Sequence, residues 1–106
     1  MNFYRWRTLM TPVLFGIHGV FILRSLRIDD TLFSGESIPV PLYRGAYPVY
    51  VAVDSALPAG YDAQYDYNSG TLTIYESKDD GWQQATSIPE TLNLRVLFIY
   101  ETQRAS

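Results

Sequence analysis

Cysteine is absent from these 106 residues, histidine occurs once, and charged residues make up only 18% of the chain. Each shortage excludes a chemistry. Without cysteine there is no disulfide framework, no thiolate nucleophile and no cysteine-type zinc site. With His18 alone, the usual zinc ligand sets cannot be assembled, and any serine triad or imidazole base must rest on a residue set between Ile17 and Gly19 in an apolar run. A histidine in such a run is expected to be packed, its polar tip held by a local hydrogen bond. No glycine-rich phosphate loop and no EF-hand spacing occurs. Long hydrophobic runs are missing too. Residues 8–23 fall short of the ~20 apolar residues of a spanning helix, and Pro12, Gly16, His18 and Gly19 interrupt them. Arg24, Ser25, Leu26 and Arg27 follow, so there is no small-x-small cleavage signal, and membrane insertion is not expected.

What the chain does have is enough apolar material for one core. At 47% hydrophobic residues it is a globular rather than a disordered sequence, and its length suits a single domain. The formal net charge of −3 and a pI near 4.9 argue against nucleic acid as the main partner. The Phe3-Tyr4-Arg5-Trp6-Arg7 cluster could stack on single strands, but it lacks a basic groove around it. The charge is uneven. Up to residue 44, five arginines (5, 7, 24, 27 and 44) face Asp29, Asp30 and Glu36, a balance of +2; the remainder carries −5 despite Lys78, Arg95 and Arg104. A basic front and an acidic body attract each other between copies, which favours head-to-tail association.

Periodicity predicts strands throughout. Residues 20–28 put Val20, Ile22, Leu26 and Ile28 on one face, with Arg24 interrupting, and Phe21, Leu23, Ser25 and Arg27 on the other. Residues 37–43 carry Pro39 and Pro41, which cannot donate to a ladder and so belong at an edge. YPVYVAVD at 47–54 and YDAQYDY at 61–67 alternate as half-buried strands do. Asn68-Ser69-Gly70 and Lys78-Asp79-Asp80-Gly81 read as hairpin turns around residues 71–77. Residues 94–102 are apolar on both faces apart from Arg95 and Glu101, which predicts a central strand. Turns every 8–12 residues without a helical period predict an all-β protein, a small antiparallel β-sandwich or barrel. Before it, residues 1–19 read as an extended N-terminal arm, and 20–106 as the single β domain.

The candidate chemistry is sparse. Asp29-Asp30 and Asp79-Asp80 invite a calcium or glycosidase reading, but neighbouring strand residues point to opposite faces, Lys78-Asp79-Asp80-Gly81 has the composition of a turn, and a carboxylate pair such as Glu76 with Glu101 would have to be assembled by the fold. No catalytic, metal or cofactor residues are therefore nominated, and an enzyme is not expected. Two sets remain. In the arm, Phe3, Tyr4, Arg5, Trp6, Arg7, Leu9, Met10, Val13, Leu14 and Phe15 combine large apolar side chains with two arginines, the residue types that dominate protein contacts. They must dock on their own body or on a neighbour; the second reading makes the arm a removable contact element. The other set is a tyrosine row, Tyr61, Tyr65 and Tyr67, joined across the hairpin by Tyr75 and with Trp82 nearby. It is either core or a face for a protein or a glycan.

An acidic, cysteine-free β domain of this size, with an arm and the meander YDYNSGTLTIYESKDDGWQQATSIPETLNLRVLFIYE, resembles small bacteriophage virion proteins of the head-decoration, neck and tail kinds over residues 61–101. The resemblance implies a non-enzymatic structural protein of the virion, without cofactors, that binds capsid, tail or like subunits in many copies through its arm. A carbohydrate-binding or receptor-binding module using the tyrosine face is the alternative expectation.

Overall fold

The computed structural model describes residues 2–101. Strand follows strand: β1 (Tyr4–Thr8), β2 (Val13–Phe15), β3 (Gly19–Ile28), β4 (Ile38–Pro39), β5 (Tyr50–Val53), β6 (Tyr61–Asp66), β7 (Thr71–Lys78), β8 (Gly81–Gln84) and β9 (Leu92–Glu101), with no helix among the described residues. They form two antiparallel sheets. The five-stranded sheet runs β1-β3-β9-β5, with β2 also paired to β3; the four-stranded sheet runs β4-β7-β6, with β8 also paired to β7. The all-β sandwich expected from the periodicity is thus the observed class.

The frame is the β3–β9 ladder, in register over its whole length from Gly19 opposite Glu101 to Ile28 opposite Leu92. Both strands alternate strictly. Val20, Ile22, Arg24, Leu26 and Ile28 point inward from β3, and Leu92, Leu94, Val96, Phe98 and Tyr100 from β9. Across the sandwich Ile38, Leu72 and Ile74 meet them, and Phe33, Val40, Ala85 and Ile88 close the ends from loops. Each of these large aliphatic side chains contributes about 1.5–3 kcal/mol by leaving water. The sheets are joined at both margins: the Trp6 indole Nε1–H donates to the Pro39 carbonyl at 2.9 Å, and β5 lies beside β6.

Turn chemistry sets the registers. In the β6–β7 hairpin the Asp66 carboxylate accepts from the Asn68 amide at 2.9 Å, and the Gly70 amide donates to the Asp66 carbonyl at 2.8 Å. Gly70 has φ +68, and a Cβ there would come within 2.5 Å of the Tyr47 ring, so two constraints require glycine.

Four expectations change. Of the two ways the arm could dock, residues 4–8 take their own body rather than a neighbour: Tyr4 to Thr8 pair with Ile28 to Arg24, so β1 belongs to the same sheet as the body and no packing boundary falls at residue 19. Tyr4 and Trp6 alternate with Arg5 and Arg7, a period of two hidden by the apolar residues beyond it. Arg24 does not interrupt the inner face of β3 but lies within it, 7% exposed. His18, expected to be packed with its polar tip held locally, is exposed in the turn between β2 and β3, because β3 begins only at Gly19, though it is not without a partner. The segment 47–54 forms a strand only from Tyr50, leaving Tyr47 and Val49 exposed. At the other end Thr102, expected to close the last strand, lies outside the described residues.

Candidate functional site

The inward faces are spent on the core, so function has to be sought on what remains outside. On the five-stranded sheet the outward positions follow from the registers. Val13, Phe21, Ile99 and Tyr50 stand in one row across β2, β3, β9 and β5; Leu23, Leu97 and Ala52 form the next. These are apolar side chains facing away from the core, half-buried or exposed. The β2–β3 tip extends the patch, with Leu14 73% and Ile17 71% exposed, and Leu9, Met10 and Phe15 are exposed beside it. Further along the same face the character changes to basic: Arg5 stands opposite Arg27, and Arg7 opposite Ser25, whose other neighbour is Arg95. Arg27 reaches Asp29 only at 3.9 Å and Arg95 reaches Asp54 at 3.5 Å, while Arg5 and Arg7 have no carboxylate in reach among the described residues.

The sequence-nominated contact residues therefore divide. Phe3, Tyr4 and Trp6 face their own chain: Phe3 is buried against Tyr4 and Phe33 with ring centroids 5.1 and 5.7 Å apart, and Trp6 sits edge-on to Phe98 at 5.4 Å. Arg5, Arg7, Leu9, Met10, Val13, Leu14 and Phe15 face solvent. Ile17, Phe21, Leu23, Tyr50, Leu97 and Ile99 belong to the same surface and were not nominated. The signal was present in the two-sided apolar pattern of residues 94–102, read as centrality alone. β9 is central in its sheet, but among the described residues none forms a second layer over its outer face, where Leu97 and Ile99 remain half-buried.

The tyrosine row also divides. Tyr61 pairs with Glu76 and Tyr65 with Leu72, which puts both tyrosines on the inward side of β6, against the core; Tyr75, one position out of phase, pairs with Asp62 on the outward side. Tyr67 is exposed beyond the strand end and meets Tyr65 edge-on at 4.6 Å. A single five-ring platform does not exist. Trp82 stands opposite Ser77 and so shares the outward face with Tyr75; with Asp62 and Gln64 these two rings line a shallow groove of about 320 Å³. A second outward hollow, about 460 Å³, runs past Ser37, Asp66, Ser69 and Thr73. A further cleft, about 590 Å³, lies between the β2–β3 tip and the Tyr43–Ala46 turn, with Arg44 and Glu101 on its walls.

Among the described residues Arg24 is the one buried cation. Its guanidinium lies 4.9 Å from the centre of the Phe98 ring and 5.4 Å from that of Tyr100, and it donates a hydrogen bond to the Tyr100 hydroxyl, which in turn donates to the Pro41 carbonyl at 2.8 Å. No described carboxylate lies within ion-pair reach of it. Burial pushes the Tyr100 hydroxyl above its ordinary value, opposed by the Arg24 hydrogen bond and charge. Burial also raises Tyr65, with Tyr67 adding to it. Arg24 and Tyr100 pack at the centre of the molecule, whereas Tyr65 also borders the hollow beside Asp66 and Thr73.

Asp29 and Asp30 are tied up in hydrogen bonds. Asp29 accepts from the Thr31 hydroxyl at 2.7 Å and the Thr31 amide at 2.9 Å, which holds its carboxyl below the usual range, and Asp30 accepts from the Thr91 hydroxyl at 2.6 Å. Glu76 lies on the inward side of β7, bridged to Lys78 at 3.2 Å, and Glu101 on the outward side of the other sheet, so they form no facing pair. Among the described residues no three His, Asp or Glu side chains gather as a metal site, and no helix is long and apolar enough to cross a membrane. Compared with protein-family models, with curated proteins and with solved structures, the chain matches none of them.

Proposed function

We propose that the chain is a non-enzymatic assembly protein that docks neighbouring subunits, its own copies first, through the outer face of the five-stranded sheet and the β2–β3 tip. The carrying observation is the two-row apolar patch of Val13, Phe21, Ile99, Tyr50, Leu23 and Leu97, continuous with exposed Leu14 and Ile17. Scattered exposed apolar residues are ordinary, whereas a contiguous patch of them rimmed by arginines has the make-up of a protein contact. A multi-copy place in a virion, as a decoration, neck or tail component, fits such a domain and is the setting we propose. The glycan-binding alternative loses its platform when Tyr61 and Tyr65 turn inward.

Sedimentation velocity tests the reading. Wild-type protein is expected to gain mass with concentration, while Leu14→Asp combined with Ile17→Asp stays folded and monomeric, since both side chains are exposed. A wild-type chain that remains a monomer at every concentration contradicts the proposal.

A further inference from the structure

The two outward faces are electrically opposite. Among the described residues the outward-facing arginines borne by strands, Arg5, Arg7, Arg27 and Arg95, all lie in the five-stranded sheet. The four-stranded sheet carries Asp62, Asp66 and Glu76, with Asp79 and Asp80 in its β7–β8 turn; its one cation, Lys78, is held by Glu76 on the other side of β7. Asp62 and Asp66 therefore face outward with no cation near them among the described residues, just as Arg5 and Arg7 face outward with no anion. Moreover, Arg5 stands directly across from Arg27, a like-charge pair that weakens a sheet until an anion is brought to it.

The groove between Tyr75 and Trp82 has the chemistry to receive such a cation. Asp62 stands across from Tyr75, its carboxylate held by the Gln64 side-chain amide, and Trp82 leaves 57% of its surface to solvent. Two ring walls and one carboxylate suit a guanidinium, which stacks on aromatic faces and forks onto an acid at once, better than an ammonium. We infer that this groove is the socket for Arg7, with Arg5 beside it, from a second copy of the chain, so that the copies associate head to tail, the five-stranded sheet of one against the four-stranded sheet of the next. The inference rests on the assembly reading above and specifies which surface the neighbour presents. Because socket and plug are different surfaces, the contact is heterologous and repeats along a ring or filament.

Charge reversal tests it. Asp62→Arg alone, and Arg5→Glu with Arg7→Glu alone, are each expected to lose assembly by light scattering while keeping the wild-type circular dichroism. Mixing the two folded variants restores the high mass, since each supplies the surface that matches the other's. Trp82→Ala weakens assembly several-fold, and Arg7→Lys weakens it while keeping the charge. Added salt lowers the assembled fraction of wild type. If wild type assembles and neither reversal alters its mass, the socket is overturned and the docking face stands; if wild type never assembles, both fall. Quenching of Trp82 by a neutral oligosaccharide without any change in mass would also overturn the socket, in favour of a glycan site.

Discussion

β9 and β7 are the middle strands of their sheets, and inward they carry the same kind of side chain: Leu94, Val96 and Phe98 on one, Leu72 and Ile74 on the other. Outward they differ. β9 turns Asn93, Arg95, Leu97 and Ile99 to its open face, next to Phe21 and Leu23 of β3, whereas β7 turns Thr71, Thr73, Tyr75 and Ser77, next to Asp62, Gln64 and Asp66 of β6. Threonine and glutamine satisfy a solvated sheet face; isoleucine, leucine and phenylalanine leave apolar area in water, where burial of each is worth roughly 1.5–3 kcal/mol to any partner that covers it. The inward faces account for the fold. The outward difference is where the two sheets stop being equivalent, and it motivates the assembly reading.

The comparison breaks hardest from the inside. Removing residues 2–8 takes away β1 together with the Phe3 and Trp6 contacts to the core, and Phe98→Ala leaves a cavity beneath Trp6 and Arg24. Loss of a buried aromatic costs about 3–5 kcal/mol, so chemical denaturation should show Phe98→Ala with far lower stability and the truncated chain unfolded. Because the β1–β3 ladder ties residues 4–8 into the body's own sheet, their removal is expected to cost the fold rather than to free a contact element. A smaller inward effect comes from Tyr100→Phe, which leaves the Arg24 guanidinium without its hydroxyl acceptor; a buried donor left unpaired costs about 1–3 kcal/mol, read from the same denaturation curves.

Tyr65 sharpens the comparison in the opposite direction. Its hydroxyl is buried without a hydrogen-bond partner among the described residues, so Tyr65→Phe should stabilise the protein by about 1 kcal/mol. It also bears on pH. Tyr65 and Tyr100 both ionise above the ordinary 10.0 when folded, so their contribution is whole below pH 10 and is lost as pH climbs through the folded values. Thermal melts across that window should fall, less steeply for Tyr65→Phe. Asp29 acts at the acid end: its folded carboxyl titrates below 3.8, so its contribution is present above that pH and lost as pH falls through the folded value, and Asp29→Asn should flatten that limb of the melting curve.

Smallest for stability, yet decisive for association, are the outward substitutions. Val13→Ser with Leu14→Ser removes apolar area from exposed side chains of the open face and its tip, and surface changes of this kind stay within about 0.5 kcal/mol. Melting should barely move while the assembled fraction disappears.

Much of this architecture was legible residue by residue. The alternation of residues 20–28, the paired prolines at 39 and 41, and the Asn68-Ser69-Gly70 turn are local signals, and β3, the edge piece β4 and the β6–β7 hairpin follow them. What could not be read is phase between strands. Tyr61 and Tyr75 look alike in sequence, but a pairing of Tyr61 with Glu76 rather than with Tyr75 sends them to opposite faces, because side chains alternate with a period of two. Arg24 was misread for a related reason: a charge on an apolar face signals an interruption until Phe98 and Tyr100, more than seventy positions away, are brought beneath it. The outer patch needed β2, β3, β9 and β5 to be set side by side before its rows existed at all.

Hydroxyl-radical footprinting at low and high protein concentration bears most directly on the central claim, that the outer face of the five-stranded sheet is covered by a neighbour. Phe21, Leu23, Leu97, Ile99 and the tip residues Leu14 and Ile17 should lose labelling as concentration rises, while Leu32 and Leu42, exposed elsewhere, keep theirs. Equal labelling of that face at both concentrations would contradict the account.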